Sequence, residues 1–122
     1  MAMQNPFERR PTESWSWFWQ AFTGIGLVAL VGLHMIAHHF AVKGGIRDYA
    51  DVVDYLRHPI IVASEFLLLV AVTSHALLGV RAIVFDLGLR ERAERWIDRA
   101  LAALGVLTVG YGMWLTWVIT RT

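Results

Sequence analysis

A chain of 122 residues that is 57% hydrophobic and 17% charged, with a mean hydropathy of +0.50, is more apolar than an average soluble domain, which runs about 45–50% apolar and about 25% charged. The length holds one domain, the net charge of +1 offers no basic surface for nucleic acid, and the gathering of apolar residues into three long blocks excludes a disordered chain. The absence of cysteine excludes a disulfide scaffold, a cysteine-ligated zinc or iron–sulfur site in this chain, and covalent c-type heme attachment, which needs C-x-x-C-H.

The first 16 residues are polar, and the apolar block that follows is too long for a signal-peptide core and lacks an A-x-A exit, so no cleaved leader is expected. That first block, about Trp17 to Phe40, contains no Lys, Arg, Asp or Glu. Trp15, Trp17 and Trp19 stand at its start, as aromatic residues do at a membrane interface. Its far half carries His34, His38 and His39; His34 and His38 are one turn apart on one face, and His39 points elsewhere.

The first connection opens with Lys43-Gly44-Gly45 and closes with His58-Pro59. Within it Ile46, Tyr49, Val52, Val53 and Leu56 recur at helical spacing, with Asp48, Asp51 and Asp54 between them, which predicts a short amphipathic helix over 46–57. The second block, about Ile60 to Phe85, holds Glu65, His75 and Arg81 as its only charged or titratable members. The stretch from Arg90 to Arg95 reads as a solvated, mixed-charge helical turn. The third block, about Ile97 to Thr120, has Asp98 and Arg99 at its mouth and Trp96, Trp114 and Trp117 near its ends. Each block exceeds the roughly 20 residues a helix needs to cross a hydrocarbon core of about 30 Å. The expectation is an all-α membrane protein of three transmembrane helices, a single anchor domain over residues 1–122, in the inner (plasma) membrane of the cell.

Lys and Arg counts orient it. Three spans put the N-terminus and second connection on one side, with Arg9, Arg10, Arg90, Arg92, Arg95 and Arg99, joined by Arg81 if it snorkels; the other side has Lys43, Arg47, Arg57 and Arg121. The N-terminus is therefore expected in the cytoplasm.

Ionisable groups inside a span are costly and face protein, cofactor or water. His75 and Asp86 are eleven residues apart, almost three turns, so they share a face with Ser64, Leu68, Ala71, Gly79 and Ala82. Small residues around the histidine admit either a neighbouring helix or a flat macrocycle, and Gly79 lies where a porphyrin edge would otherwise clash. Measured from Trp17 and Asp86 as a common level, His34 sits roughly 9 Å nearer the outside than His75, so the two cannot share one iron. Each histidine also has a packing reading, a hydrogen bond to a neighbouring helix. A metal site of His34, His38 and His39 needs a third ligand facing correctly, and Glu65 reads as a proton relay or a solvated rim carboxylate.

From Ser74 to Gly88 the sequence is S-H-A-L-L-G-V-R-A-I-V-F-D-L-G, an H-x-x-x-G-x-R-x-x-x-x-D-x-G pattern. It resembles the second transmembrane helix of succinate dehydrogenase membrane-anchor subunits of the three-helix, cytochrome b type, and the likeness in length and span number covers most of the chain. The resemblance implies that His75 is an axial ligand of heme b, with Gly79 beside the macrocycle, that Asp86 lies near a quinone site, and that Arg81 is a heme-propionate or quinone-side group. Some members hold two hemes through histidines of the first and second helices, which makes His34 the candidate ligand of an outer heme. The first helix of the family often opens with H-R-x-S-G; here the matching Gln20-Ala21-Phe22-Thr23-Gly24 keeps only Thr23 and Gly24, and Leu87 replaces a tyrosine found after the aspartate in one of the two anchor types. These departures shift much of the quinone site to partners.

The resemblance implies half of a heterodimeric helix bundle: a second anchor subunit shares heme and quinone, and an iron–sulfur subunit and a flavoprotein dock on the cytoplasmic face and deliver electrons from succinate. The chain alone carries no such chemistry. A fumarate reductase anchor runs the same wiring backwards, and a small cofactor-free transporter or structural membrane subunit is the alternative from another class.

Overall fold

The chain, described by a computed structural model over residues 11–40, 43–46 and 48–121, is all-helical, with no strand among the described residues. The helices are α1 (Pro11–Phe40), α2 (Tyr49–Tyr55), α3 (Pro59–Phe85) and α4 (Glu91–Arg121). Three are long and apolar enough to cross a membrane: α1 from Ser14, α3 and α4. Arg9, Arg10 and Arg47, counted above for orientation, lie outside the described residues.

The helices begin and end where local chemistry dictates. α2 is set by a capping box: the Asp48 carboxylate accepts from the Asp51 amide at 3.0 Å, and the Asp51 carboxylate accepts from the Asp48 amide at 3.3 Å. That cap leaves Ile46 outside the helix. α2 stops because Pro59 follows closely; the residue before a proline is driven out of the α region, and His58 is extended, with φ −81° and ψ 117°. α3 ends at Asp86, after which Gly88 takes a left-handed φ of 68°. Arg90 to Arg95 is not a separate connection: α4 begins at Glu91, with Glu91 and Glu94 in its first turn and Arg121 in its last, each complementing the helix dipole.

α3 is the middle helix, packed on α1 at one side and α4 at the other. Glycines allow the close approach. A Cβ on Gly24 of α1 would stand 3.1 Å from His75, and one on Gly105 of α4 would stand 2.9 Å from Leu77. Among the described residues only Tyr55 is buried, at 3% exposure, while Val28, Phe40, Ile60 and Val106 face outward. An apolar surface of this extent is unstable in water and natural in lipid, where association depends on packing and hydrogen bonds rather than on burying oil. The chain is a multi-pass membrane protein.

The inward face of α2 differs from the expected set of Ile46, Tyr49, Val52, Val53 and Leu56. Tyr49 is 61% exposed, and Tyr55, outside that set, fills the corner between α1 and α3. Its ring lies edge-on to His38 with centroids 5.0 Å apart, and its hydroxyl reaches α3, so the polar tip fixes which face turns inward.

Candidate functional site

His75 sits midway along α3 and turns its Nδ1 edge to α1. Nδ1 is 3.2 Å from the Gln20 carbonyl oxygen and 3.2 Å from Thr23 Oγ1. A carbonyl only accepts, so Nδ1 carries the proton and donates. The Thr23 hydroxyl donates to the Trp19 carbonyl at 2.7 Å, leaving an oxygen lone pair toward His75. In the neutral ring Nε2 is then the nitrogen with the lone pair. A ring nitrogen anchored on a carbonyl with the opposite nitrogen unprotonated is the arrangement a metal-ligating histidine needs, and the donor chemistry here fits an axial heme ligand. Thr23, kept from the family's first-helix segment, is a hydrogen-bond partner of His75.

Gly79 meets α1 as well. A Cβ there would stand 3.3 Å from Gln20 Nε2, so the small-residue stripe around His75 receives a neighbouring helix of the same chain over this stretch. Gln20 Oε1 is buried with no hydrogen-bond partner among the described residues. The Gln20 side chain lines a cavity of about 320 Å³ together with Ser16, Arg81 and Asp86.

Arg81 joins three helices. Its Nε donates to Asp98 Oδ1 of α4 at 2.6 Å, its Nη2 to Asp98 Oδ2 at 3.4 Å and its Nη1 to Ser16 Oγ of α1 at 3.3 Å. The guanidinium lies 4.1 Å from the centroid of the Phe85 ring. Five N–H donors exceed the three bonds named, so Arg81 keeps capacity toward the cavity. Asp86 is exposed at the end of α3.

The second cluster lies toward the other end of α3. His34 Nδ1 stands 2.7 and 2.8 Å from the two oxygens of Glu65, and the Tyr55 hydroxyl donates to Glu65 Oε1 at 2.7 Å. The His38 ring is wedged between, 4.0 Å from the His34 ring and 5.0 Å from Tyr55. Burial, and then the bond to Glu65, push the Tyr55 phenol above the ordinary tyrosine range, so it remains a donor. Donor atoms of His34, His38 and Glu65 lie within 4.8 Å of one another. Glu65 is thus the third group that a site of His34 and His38 lacked in sequence, and His39 is exposed apart from them.

The depth of the two histidines needs correcting. His34 is level with Glu65, ten residues before His75, a rise of about 15 Å rather than 9 Å. Trp17 and Asp86 do not share a level: Ser16 meets Arg81, five residues short of Asp86. Sequence reasoning missed Ser16, Tyr55 and Asp98 as partners, and Gln20 as a cavity group. The one available signal was that Gln20, Thr23 and Gly24 share a helical face.

Residues 7–119 match the family described as succinate dehydrogenase/fumarate reductase transmembrane subunit. Two relatives named succinate dehydrogenase hydrophobic membrane anchor subunit are similar along most of their length. The one from Thermoplasma acidophilum is 30% identical over 104 residues, covering 85% of each chain. The one from Archaeoglobus fulgidus is 32% identical over 107 residues, covering 88% of this chain and 91% of the relative. The chain belongs to the succinate dehydrogenase/fumarate reductase transmembrane subunit family.

Proposed function

We propose that this member of the family is an anchor subunit of succinate dehydrogenase that ligates heme b through His75 and builds part of a quinone-reducing site. The observation that carries the reading is the state of His75: Nδ1–H committed to the Gln20 carbonyl, Nε2 left as a lone pair, in the middle of a membrane span. The anchor names of both relatives support the succinate direction over fumarate reduction. The Arg excess beside the N-terminus and α4 start supports a cytoplasmic N-terminus, where an iron–sulfur subunit and a flavoprotein would dock. A second anchor subunit would share the hold on the heme.

When bound, heme b supplies one-electron carriage between the iron–sulfur subunit and the membrane. The chain's own residues do the rest. Gln20 and Thr23 hold the His75 ring in one tautomer and one orientation. Arg81 offers spare N–H donors to a quinone carbonyl in the 320 Å³ cavity, beside the Gln20 side chain. Asp86, exposed at the rim, passes protons from water as two electrons and two protons convert quinone to quinol.

A reduced-minus-oxidised spectrum of the purified complex tests the reading. A b-type band is expected in the native complex and its loss in an assembled His75→Ala complex. A full heme complement in that variant would sink the assignment to His75.

A further inference from the structure

A groove of about 820 Å³ is lined by residues of α1, α3 and α4, and its two ends differ in chemistry. At one end stand Ser16, Arg81 and Asp98, joined by hydrogen bonds across the three helices. From there the lining continues through Phe22, Gly26 and Ala71 to Leu30 and Leu67, with no further charged residue. Ser16 and Leu30, like Arg81 and Leu67, are separated by a helical rise of about 21 Å. Trp15 and Trp19 line the polar end, and Trp96 closely precedes Asp98; tryptophans of this kind mark a membrane interface. The groove therefore descends from head-group level into hydrocarbon, farther than the roughly 15 Å that one leaflet contributes to a core of about 30 Å. A Cβ on Gly26 would meet nothing within 4 Å, so the groove is open where a side chain would otherwise project.

We propose that this groove binds a phospholipid with a primary-ammonium head group, an ethanolamine phospholipid, from the leaflet at the end where α4 begins. Charge selects the occupant. The mouth is an ion pair and not a lone cation: Arg81 and Asp98 present one positive and one negative group side by side, 2.6 Å apart. A zwitterionic head group meets it with both signs matched, phosphate on Arg81 and ammonium on Asp98. Both residues have the capacity. Arg81 keeps N–H donors beyond those given to Asp98 and Ser16, enough for a phosphate oxygen on this side and the quinone cavity on the other. Asp98 accepts two bonds from Arg81, a carboxylate has about four acceptor sites, and this side chain is 45% exposed. An anionic head group would set its extra charge against Asp98, and a choline head group has no N–H to give. The acyl chains lie along the apolar lining beneath. His75 takes no part, so the lipid site stands or falls apart from the heme.

Native mass spectrometry of the assembled complex tests the site. The complex is washed free of lipid in detergent, then titrated with phosphatidylethanolamine, phosphatidylcholine or phosphatidylglycerol carrying the same acyl chains. Gly26→Leu projects a side chain into the open groove without meeting the rest of the chain, so the complex is expected to assemble. Lipid affinity at this site is expected to fall at least about tenfold, since small changes of volume in an apolar pocket are felt on that scale. The binding that Gly26→Leu removes identifies the site among any others on the complex. At that site the native complex is expected to prefer the ethanolamine lipid about tenfold over the other two, as one hydrogen bond between charged groups is worth. Asp98→Asn keeps the shape of the mouth and removes its negative group. The preference is then expected to collapse to parity while binding through Arg81 persists.

Equal affinities for the three lipids at this site overturn the proposal, and so does a preference for phosphatidylglycerol, which would make the mouth a simple cation site. An ethanolamine preference that survives Asp98→Asn refutes the pairing with Asp98. Ala102→Leu fills the groove from the α4 wall and replaces Gly26→Leu if that variant does not assemble. Lipid binding unchanged by groove filling in an assembled complex means that a partner subunit covers this surface, and the proposal fails.

Discussion

His75 is held by two acceptors of unequal weight, and the difference is measurable. The Gln20 carbonyl belongs to the backbone of α1 and cannot be removed by side-chain substitution; Thr23 Oγ1 can. Thr23→Val keeps the shape and removes one acceptor, for a loss of about 0.6 kcal/mol, the average for such bonds in membranes. The complex is expected to retain its full heme content, measured as hemochromogen per flavin. Gly24→Leu acts differently. Its Cβ would stand 3.1 Å from His75 Cε1, with three further carbons beyond, so the ring has to turn off the Gln20 carbonyl. A loss of orienting partner of this kind weakens a metal ligand about 10- to 100-fold, and heme content is expected to fall accordingly. Equal retention in both variants would show that ring orientation is not what this face of α1 provides. Of these residues His75 stood out by its own chemistry, because an ionisable group within an apolar run is conspicuous. Thr23 was marked only through the family resemblance, and its contact with His75 was hidden because the partner lies 52 residues away. Tyr55 was hidden for a related reason: its polar tip, not its place in the apolar repeat, turned it inward.

Between elements, the sequence disclosed the three spans and withheld their register. Uncharged runs longer than a bilayer leave no alternative to spanning helices, but nothing in a single helix states how far its neighbour is shifted along it. That offset is set by contacts across the seams: Ser16 on Arg81, Gly24 on His75, Glu65 on His34. It moved the estimated depth difference between the histidines from about 9 to about 15 Å. The Arg81–Asp98 pair is the corresponding contact between α3 and α4, and it separates two roles for Arg81. Asp98 is 45% exposed in its side chain, so the pair contributes at most about 1 kcal/mol after solvent screening. Asp98→Asn removes the latch and leaves the guanidinium; Arg81→Met removes both. If Arg81 also binds quinone, the two variants show similar small drops in thermal stability of the complex, but only Arg81→Met raises the quinone KM, by about tenfold for the loss of one hydrogen bond to a polar head group. An equal effect of both on KM would confine Arg81 to the latch.

Taken whole, the molecule is three spans in which α3 packs on both α1 and α4, with a groove of about 820 Å³ lined by residues of all three. Among the described residues only Tyr55 is buried, and His34, Glu65, His75 and Arg81 are tied to neighbouring helices of the same chain. Two histidines about 15 Å apart in depth cannot close on one iron, so a heme held by His75 could not take its second protein ligand from His34. If His75 holds heme as proposed, a second protein ligand would have to come from another chain. The chain expressed and purified alone in detergent is expected to hold heme weakly, in a high-spin form if any is retained. The low-spin b-type spectrum should appear only on co-expression with a second anchor subunit. Spectra of the two preparations at equal protein concentration, with size-exclusion chromatography to establish the number of copies present, make the comparison. A monomeric lone chain that keeps a low-spin heme would mean that both axial ligands come from this sequence. That would require His34 or His38 to reach the level of His75, against the register fixed by Glu65.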